Sequence, residues 1–93
     1  MKKGVMLMDD MDGLISTAIR TTAARDNRTM RSICKGIGFK PTKFYDRLSG
    51  RTPWNTHEID AVAKELGLAD GWALMGLAKE EAEIAKRREG EAA

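Results

Sequence analysis

The chain has 93 residues, 32% of them charged, a formal net charge of +2 and a single cysteine. That length suits one small hydrophobic core and not two. One thiol excludes an internal disulfide and a multi-thiolate zinc site, and the absence of an 18-residue apolar run excludes a membrane-spanning helix, so the expectation is a reduced, cytoplasmic protein with no membrane partner.

Residues 1–8, with two lysines and a short apolar patch, read as a flexible arm. The patch is too short for a signal peptide and lacks a small-residue cleavage site. A domain spanning 9–78 follows. Asp9, Asp10 and Asp12 favour a helix start as caps and as negative charge at the positive end of the dipole. Met11, Leu14, Ile15, Ala18, Ile19, Thr22 and Ala23 recur at three- and four-residue spacing, which predicts one buried stripe on a helix running to about Asp26. Asp26 and Asn27 then signal a turn.

From Thr29 to Gly50 the pattern is helix, tight turn, helix. Thr29 can cap the first helix, and Ile33 and Ile37 lie one turn apart on it. Cys34 fills a small-residue position where the next helix must approach, and reads as a buried structural thiol. Gly38 supplies positive φ for the turn. Pro41 suits the first position of the second helix, whose apolar stripe is Phe44 and Leu48. Thr42, Lys43, Asp46 and Arg47 gather on the opposite side. Arg and Lys can donate to guanine O6 and N7, and Thr can reach a base edge or a thymine methyl, so this face has the chemistry of a base reader. Charge supports the same reading. Residues 20–51 hold nine Lys and Arg against Asp26 and Asp46, a local charge of +7, while residues 1–19 carry −1 and residues 52–93 carry −4. Such concentration fits a phosphate-binding face better than a scattered solvated surface.

Pro53 excludes helix through Arg51–Asn55. Trp54 is expected at the core edge. Asn55 and Glu58 form a capping-box pattern, Ile59, Val62, Ala63 and Leu66 the next stripe, and Gly67 the stop. Asp70 caps a fifth helix in which Trp72, Ala73, Leu74, Met75, Leu77 and Ala78 are apolar almost all round, so Trp72, Leu74 and Met75 are candidates for contact with a second copy of the chain. Residues 79–93, rich in Lys, Glu, Ala and Arg, are a charged helical extension or tail. His57 beside Glu58 and Asp60 lacks a second histidine. No catalytic, metal or cofactor-binding constellation is present, and the reading is not an enzyme.

Ile33, Cys34, Gly38, Phe39 and Phe44, taken in order, resemble the helix-turn-helix of the lambda repressor and Cro family, also called the XRE type; the resemblance covers roughly residues 11–78. It implies an all-α bundle of about five helices, double-stranded DNA as partner, and a bacterial or phage transcription regulator, most often a repressor that occludes a promoter. It also implies phosphate-backbone contacts from Arg28, Thr29, Arg31, Lys40, Ser49, Arg51 and Thr52, with Tyr45 near the groove wall, and a homodimer, formed in solution or only on DNA, on half-sites ~34 Å apart. One position departs from the family: Arg47 stands where another buried apolar residue is usual, which predicts a rolled second helix. Three other readings fit the same residues. An antitoxin of this fold would bind DNA and, through 79–93, a toxin; a protein-interaction module would use the apolar fifth helix alone; an ordinary helical hairpin would simply carry a solvated basic face.

Overall fold

Five helices make up the architecture of this computed structural model, which describes residues 11–92: α1 (Met11–Arg25), α2 (Met30–Gly36), α3 (Pro41–Leu48), α4 (Thr56–Glu65) and α5 (Gly71–Ala92). There is no strand among the described residues. The arm expected at 1–8, and Asp9 and Asp10, lie outside them.

Local chemistry sets the boundaries. Asn27 takes a left-handed φ of 60° after α1, and the Arg28 N–H returns to the Ala23 carbonyl at 2.7 Å. The Thr29 hydroxyl accepts the Ser32 N–H at 3.0 Å and starts α2. Gly38, at φ 75°, ends it in a conformation that costs a Cβ-bearing residue energy. Pro41 opens α3 without a side-chain cap. The Asn55 side chain accepts the Glu58 N–H at 2.8 Å while the Glu58 carboxylate accepts the Asn55 N–H at 3.1 Å, a complete capping box for α4. Two aspartates cap α5: Asp70 accepts from Ala73 N–H, and Asp60, from α4, accepts from Gly71 N–H at 2.9 Å.

The core draws on every helix. Ile15, Ile19, Ile33, Phe44, Val62 and Leu74 are its largest fully buried side chains. The Phe44 ring stands edge-on to Trp54, with centroids 6.0 Å apart. Trp54 is sealed at the core edge: its indole N–H donates to the Ser16 hydroxyl at 3.1 Å, and its backbone N–H donates to Asp12 Oδ1 at 3.0 Å. Ser16, buried on α1, in turn reaches the Arg47 carbonyl at 3.5 Å, so one small polar residue ties the loop and the end of α3 to α1. Two expectations are corrected here. Met11 is 55% exposed and not part of the buried stripe of α1. Leu74 is fully buried in the chain's own core and is not available to a second copy, because α5 packs against both α1 and α4 and turns this residue between them. The charged 79–92 stretch continues α5 without a break, with Ile84 and Ala85 beside Leu14 and Thr17 of α1.

Candidate functional site

The α2–α3 unit is held together from inside. The Phe39 N–H donates to the Cys34 carbonyl at 3.1 Å, and the Cys34 thiol donates back to the Phe39 carbonyl at 3.2 Å. The Phe39 and Phe44 rings stand nearly perpendicular with centroids 6.4 Å apart, and Phe44 and Leu48 sink into the core. With its inner face so fixed, α3 leaves Thr42 and Lys43 exposed, Asp46 partly exposed, and Tyr45 on one flank at 45% exposure.

Arg47 does not belong to that outward set, which corrects its expected placement on the same side as Thr42, Lys43 and Asp46. Its guanidinium turns toward α4 and grips Glu58 with two prongs, Nε to Oε1 and Nη2 to Oε2, each 3.0 Å. The cause is its place on the helix: one residue before Leu48 and three after Phe44, it lies on the flank of the buried stripe, where an arginine needs a partner. Glu58 is 5% exposed. Burial pushes its carboxyl up, but hydrogen bonds from Arg47 and from the Asn55 N–H, with the charges of Arg47 and Lys43, outweigh burial and hold it below the ordinary glutamate range. The same hydrogen bond raises the Arg47 pKa. Lys43 stands between two attractions, its Nζ 3.7 Å from Glu58 Oε2 and 4.5 Å from the centre of the Phe39 ring.

Arg28, expected among the phosphate-clamping cations, is here engaged within the fold. Its Nη2 pairs with Glu65 Oε2 at 2.8 Å, its Nη1 donates to the Glu65 carbonyl at 3.1 Å, and its Nε donates to Ser32 Oγ at 3.1 Å. One residue thereby satisfies a carbonyl at the end of α4 and neutralises its terminal carboxylate. A Cβ at Gly36 would meet the end of the Glu65 side chain, so any other residue there would displace that carboxylate from its present place. The Thr29 hydroxyl is used as the α2 cap.

The remaining positions lie at the surface. Arg31, Lys35 and Lys40 are exposed and make no ion pair among the described residues. Arg31 and Lys35 line a cleft of about 550 Å³ at the α2–α3 turn, together with Cys34, Phe39, Pro41 and Tyr45. Past α3, the Asp46 carbonyl accepts the Thr52 N–H and the Ser49 hydroxyl, both at 3.2 Å, which folds the loop under the helix end. Arg51 reaches Asp46 Oδ1 only loosely, at 3.8 Å, and stays mostly in solvent. At the start of α5, Trp72 is 79% exposed beside a second cleft of about 350 Å³ that includes His57, Ile59 and Met75. Among the described residues, no three His, Cys, Asp or Glu side chains group as a metal site, and no helix is long and apolar enough to cross a membrane.

Glu58 and Glu65 are the residues that pattern reading passes over. Glu58 reads from sequence as a cap and no more. The available signal was Arg47 at an apolar position, which requires a buried acid nearby. Nothing in the sequence marks Glu65. Comparison of the chain with protein-family models, curated proteins and solved structures finds no match.

Proposed function

We propose that this chain is a sequence-specific double-stranded DNA-binding protein in which α2 and α3 act as a helix-turn-helix, α3 entering the major groove. The observation that carries the reading is an α3 locked by Phe44 and Leu48 from within, with Thr42 and Lys43 exposed and Asp46 partly so, while Arg31, Lys35 and Lys40 are exposed and make no ion pair among the described residues. An eight-residue helix is about 12 Å long and the groove is about 12 Å wide, so its outward residues can reach base edges while flanking cations meet phosphates. Lys43 is the donor suited to guanine O6 and N7, and Thr42 the contact suited to a thymine methyl. Arg31, Lys35, Lys40 and Arg51, with Ser49 and Thr52, face the backbone, and Tyr45 lies at the groove wall. A regulator of the lambda repressor and Cro type, acting by occluding a promoter, is the role the resemblance supports.

Trp72 supports a homodimer in this reading. It is the most exposed large apolar side chain among the described residues, next to Met75 and a cleft that a second copy's indole could enter. Sedimentation tests this part: a concentration-dependent dimer abolished by Trp72→Ala is expected, and a monomer that binds a single asymmetric half-site contradicts it.

Selection from a random pool of duplexes tests the whole. A defined sequence is expected to emerge, and Lys43→Ala should weaken binding to it by about 1–3 kcal/mol while changing non-specific binding less. Failure to enrich any duplex rejects the proposal.

A further inference from the structure

Glu58 is an unusual feature of the α3–α4 seam because one buried carboxylate serves three clients. Oε1 accepts from Arg47 Nε at 3.0 Å and from Asn55 N–H at 3.1 Å; Oε2 accepts from Arg47 Nη2 at 3.0 Å and faces Lys43 Nζ at 3.7 Å. The fork to Arg47 takes the best geometry a carboxylate offers, leaving Lys43 the longer contact. The Phe39 ring, 4.5 Å from Nζ, holds the ammonium from another side. Yet the Lys43 side chain remains 48% exposed. Glu58 and the Phe39 ring together favour one place for its head while leaving it reachable, whereas Arg51, whose side chain is 79% exposed, has only its 3.8 Å contact to Asp46 and no ring against it among the described residues.

We infer that Glu58 is a specificity-determining positioning residue: by gripping Arg47 and tethering Lys43 it withholds two cations from indiscriminate phosphate binding and presents Lys43 at one position on the outward face of α3. The inference rests on the DNA-binding reading above. A free lysine on a four-carbon stem swings to whichever phosphate is near and adds affinity for every sequence equally. A lysine anchored at its head responds instead to an acceptor that lies where it is held, which is a base edge at one register. Glu58 also joins this anchoring to the capping box of α4, so the place of Lys43 is tied to the packing of α4 against α3.

The test compares the wild-type chain with Glu58→Gln and Lys43→Gln, measuring binding to the selected duplex and to a scrambled duplex across a salt series. Glu58→Gln keeps the side-chain shape and removes its charge. Folded Glu58→Gln is expected to bind the scrambled duplex more tightly, with a log–log salt slope steeper by about 0.9 for Lys43 alone and about 1.8 if Arg47 is released too. The ratio of selected to scrambled affinity should fall at least about fivefold, the lower end of what one base contact contributes. Lys43→Gln alters an exposed position and serves even if Glu58→Gln fails to fold. It should lower the ratio by a similar factor while leaving the scrambled-duplex slope nearly unchanged, because the wild-type Lys43 is withheld from phosphate. A uniform loss of binding in Glu58→Gln with an unchanged slope makes Glu58 merely structural and overturns the inference; so does Lys43→Gln that flattens the scrambled-duplex slope by the full 0.9 or so of a phosphate contact. Wild-type protein that binds no duplex at all removes the DNA reading itself, whereas selective wild-type binding with unaltered variants removes only the role of Glu58.

Discussion

Arg28 and Arg47, paired with α4, and Arg31, Lys35 and Lys40, exposed to solvent, come from the same cation-rich stretch and are used in opposite ways. The first two face α4, where Glu65 and Glu58 neutralise them at 2.8 and 3.0 Å. The last three stand in solvent with no acid paired to them among the described residues. A local charge of +7 is therefore not the charge of a binding face. Part of it belongs to the seam that holds the unit to α4, and that seam determines where the rest can point. Changes at the seam should alter stability first and, through Lys43, the selectivity of the proposed DNA binding; changes at the surface cations should alter its salt dependence with little effect on stability.

The sharpest break in that division is Glu58→Ala. It strands the Arg47 guanidinium and removes half of the capping box, and unfolding by urea should show a loss on the order of 3 kcal/mol. A loss below about 0.5 kcal/mol, the range of neutral surface changes, would show that the seam contributes nothing. Arg28→Ala comes next, since that pair is about a third exposed and more screened; about 1 kcal/mol is expected, seen as a fall of roughly 5 °C in Tm.

Acid should erode the contributions of Glu58 at the seam and of Asp60 where α4 meets α5. Glu58 and Asp60 both have carboxyl pKa values held below their ordinary 4.5 and 3.8, Glu58 by Arg47, Asn55 and Lys43 against the cost of burial, Asp60 by Lys64 and the Gly71 N–H. The unfolded chain thus binds these protons more readily than the folded one. Their contribution to stability is complete above the ordinary values and is lost as pH falls through the lower folded ones. Unfolding free energy measured from neutral pH downward should decline in that window, and Glu58→Gln should decline less steeply than wild type. Equal slopes would contradict the assignment.

How much of this was legible without coordinates follows from the range of the interactions involved. Thr29, Gly38, Pro41, Asn55 with Glu58, and Asp70 act within a few residues of themselves, and each sits where its local chemistry places it. The stripes Ile15–Ile19–Ala23 and Ile59–Val62–Ala63 follow from helical periodicity in the same way. Ion pairs across 11 and 37 residues have no such signature, so Arg28 and Arg47 look like surface cations until α4 is in place. The fifth helix misleads for a related reason. An all-round apolar run does not say which turn faces its own core, and the chain buries Leu74 while exposing Trp72.

The smallest expected effects on stability belong to the outward cations. Arg31→Ala and Lys35→Ala should each change unfolding free energy by less than about 0.5 kcal/mol, while each lowers the magnitude of the DNA salt slope by about 0.9. A variant that unfolds the chain would place its residue in the seam instead.

The most direct test of the central claim is the affinity of the wild-type chain for a selected duplex, titrated from about 50 to 200 mM salt. With Arg31, Lys35 and Lys40 on phosphates, log affinity should fall linearly with log salt, with a slope of about −2.7 or steeper at −0.9 per contact. A flat line, or no binding at either end of the range, would contradict it.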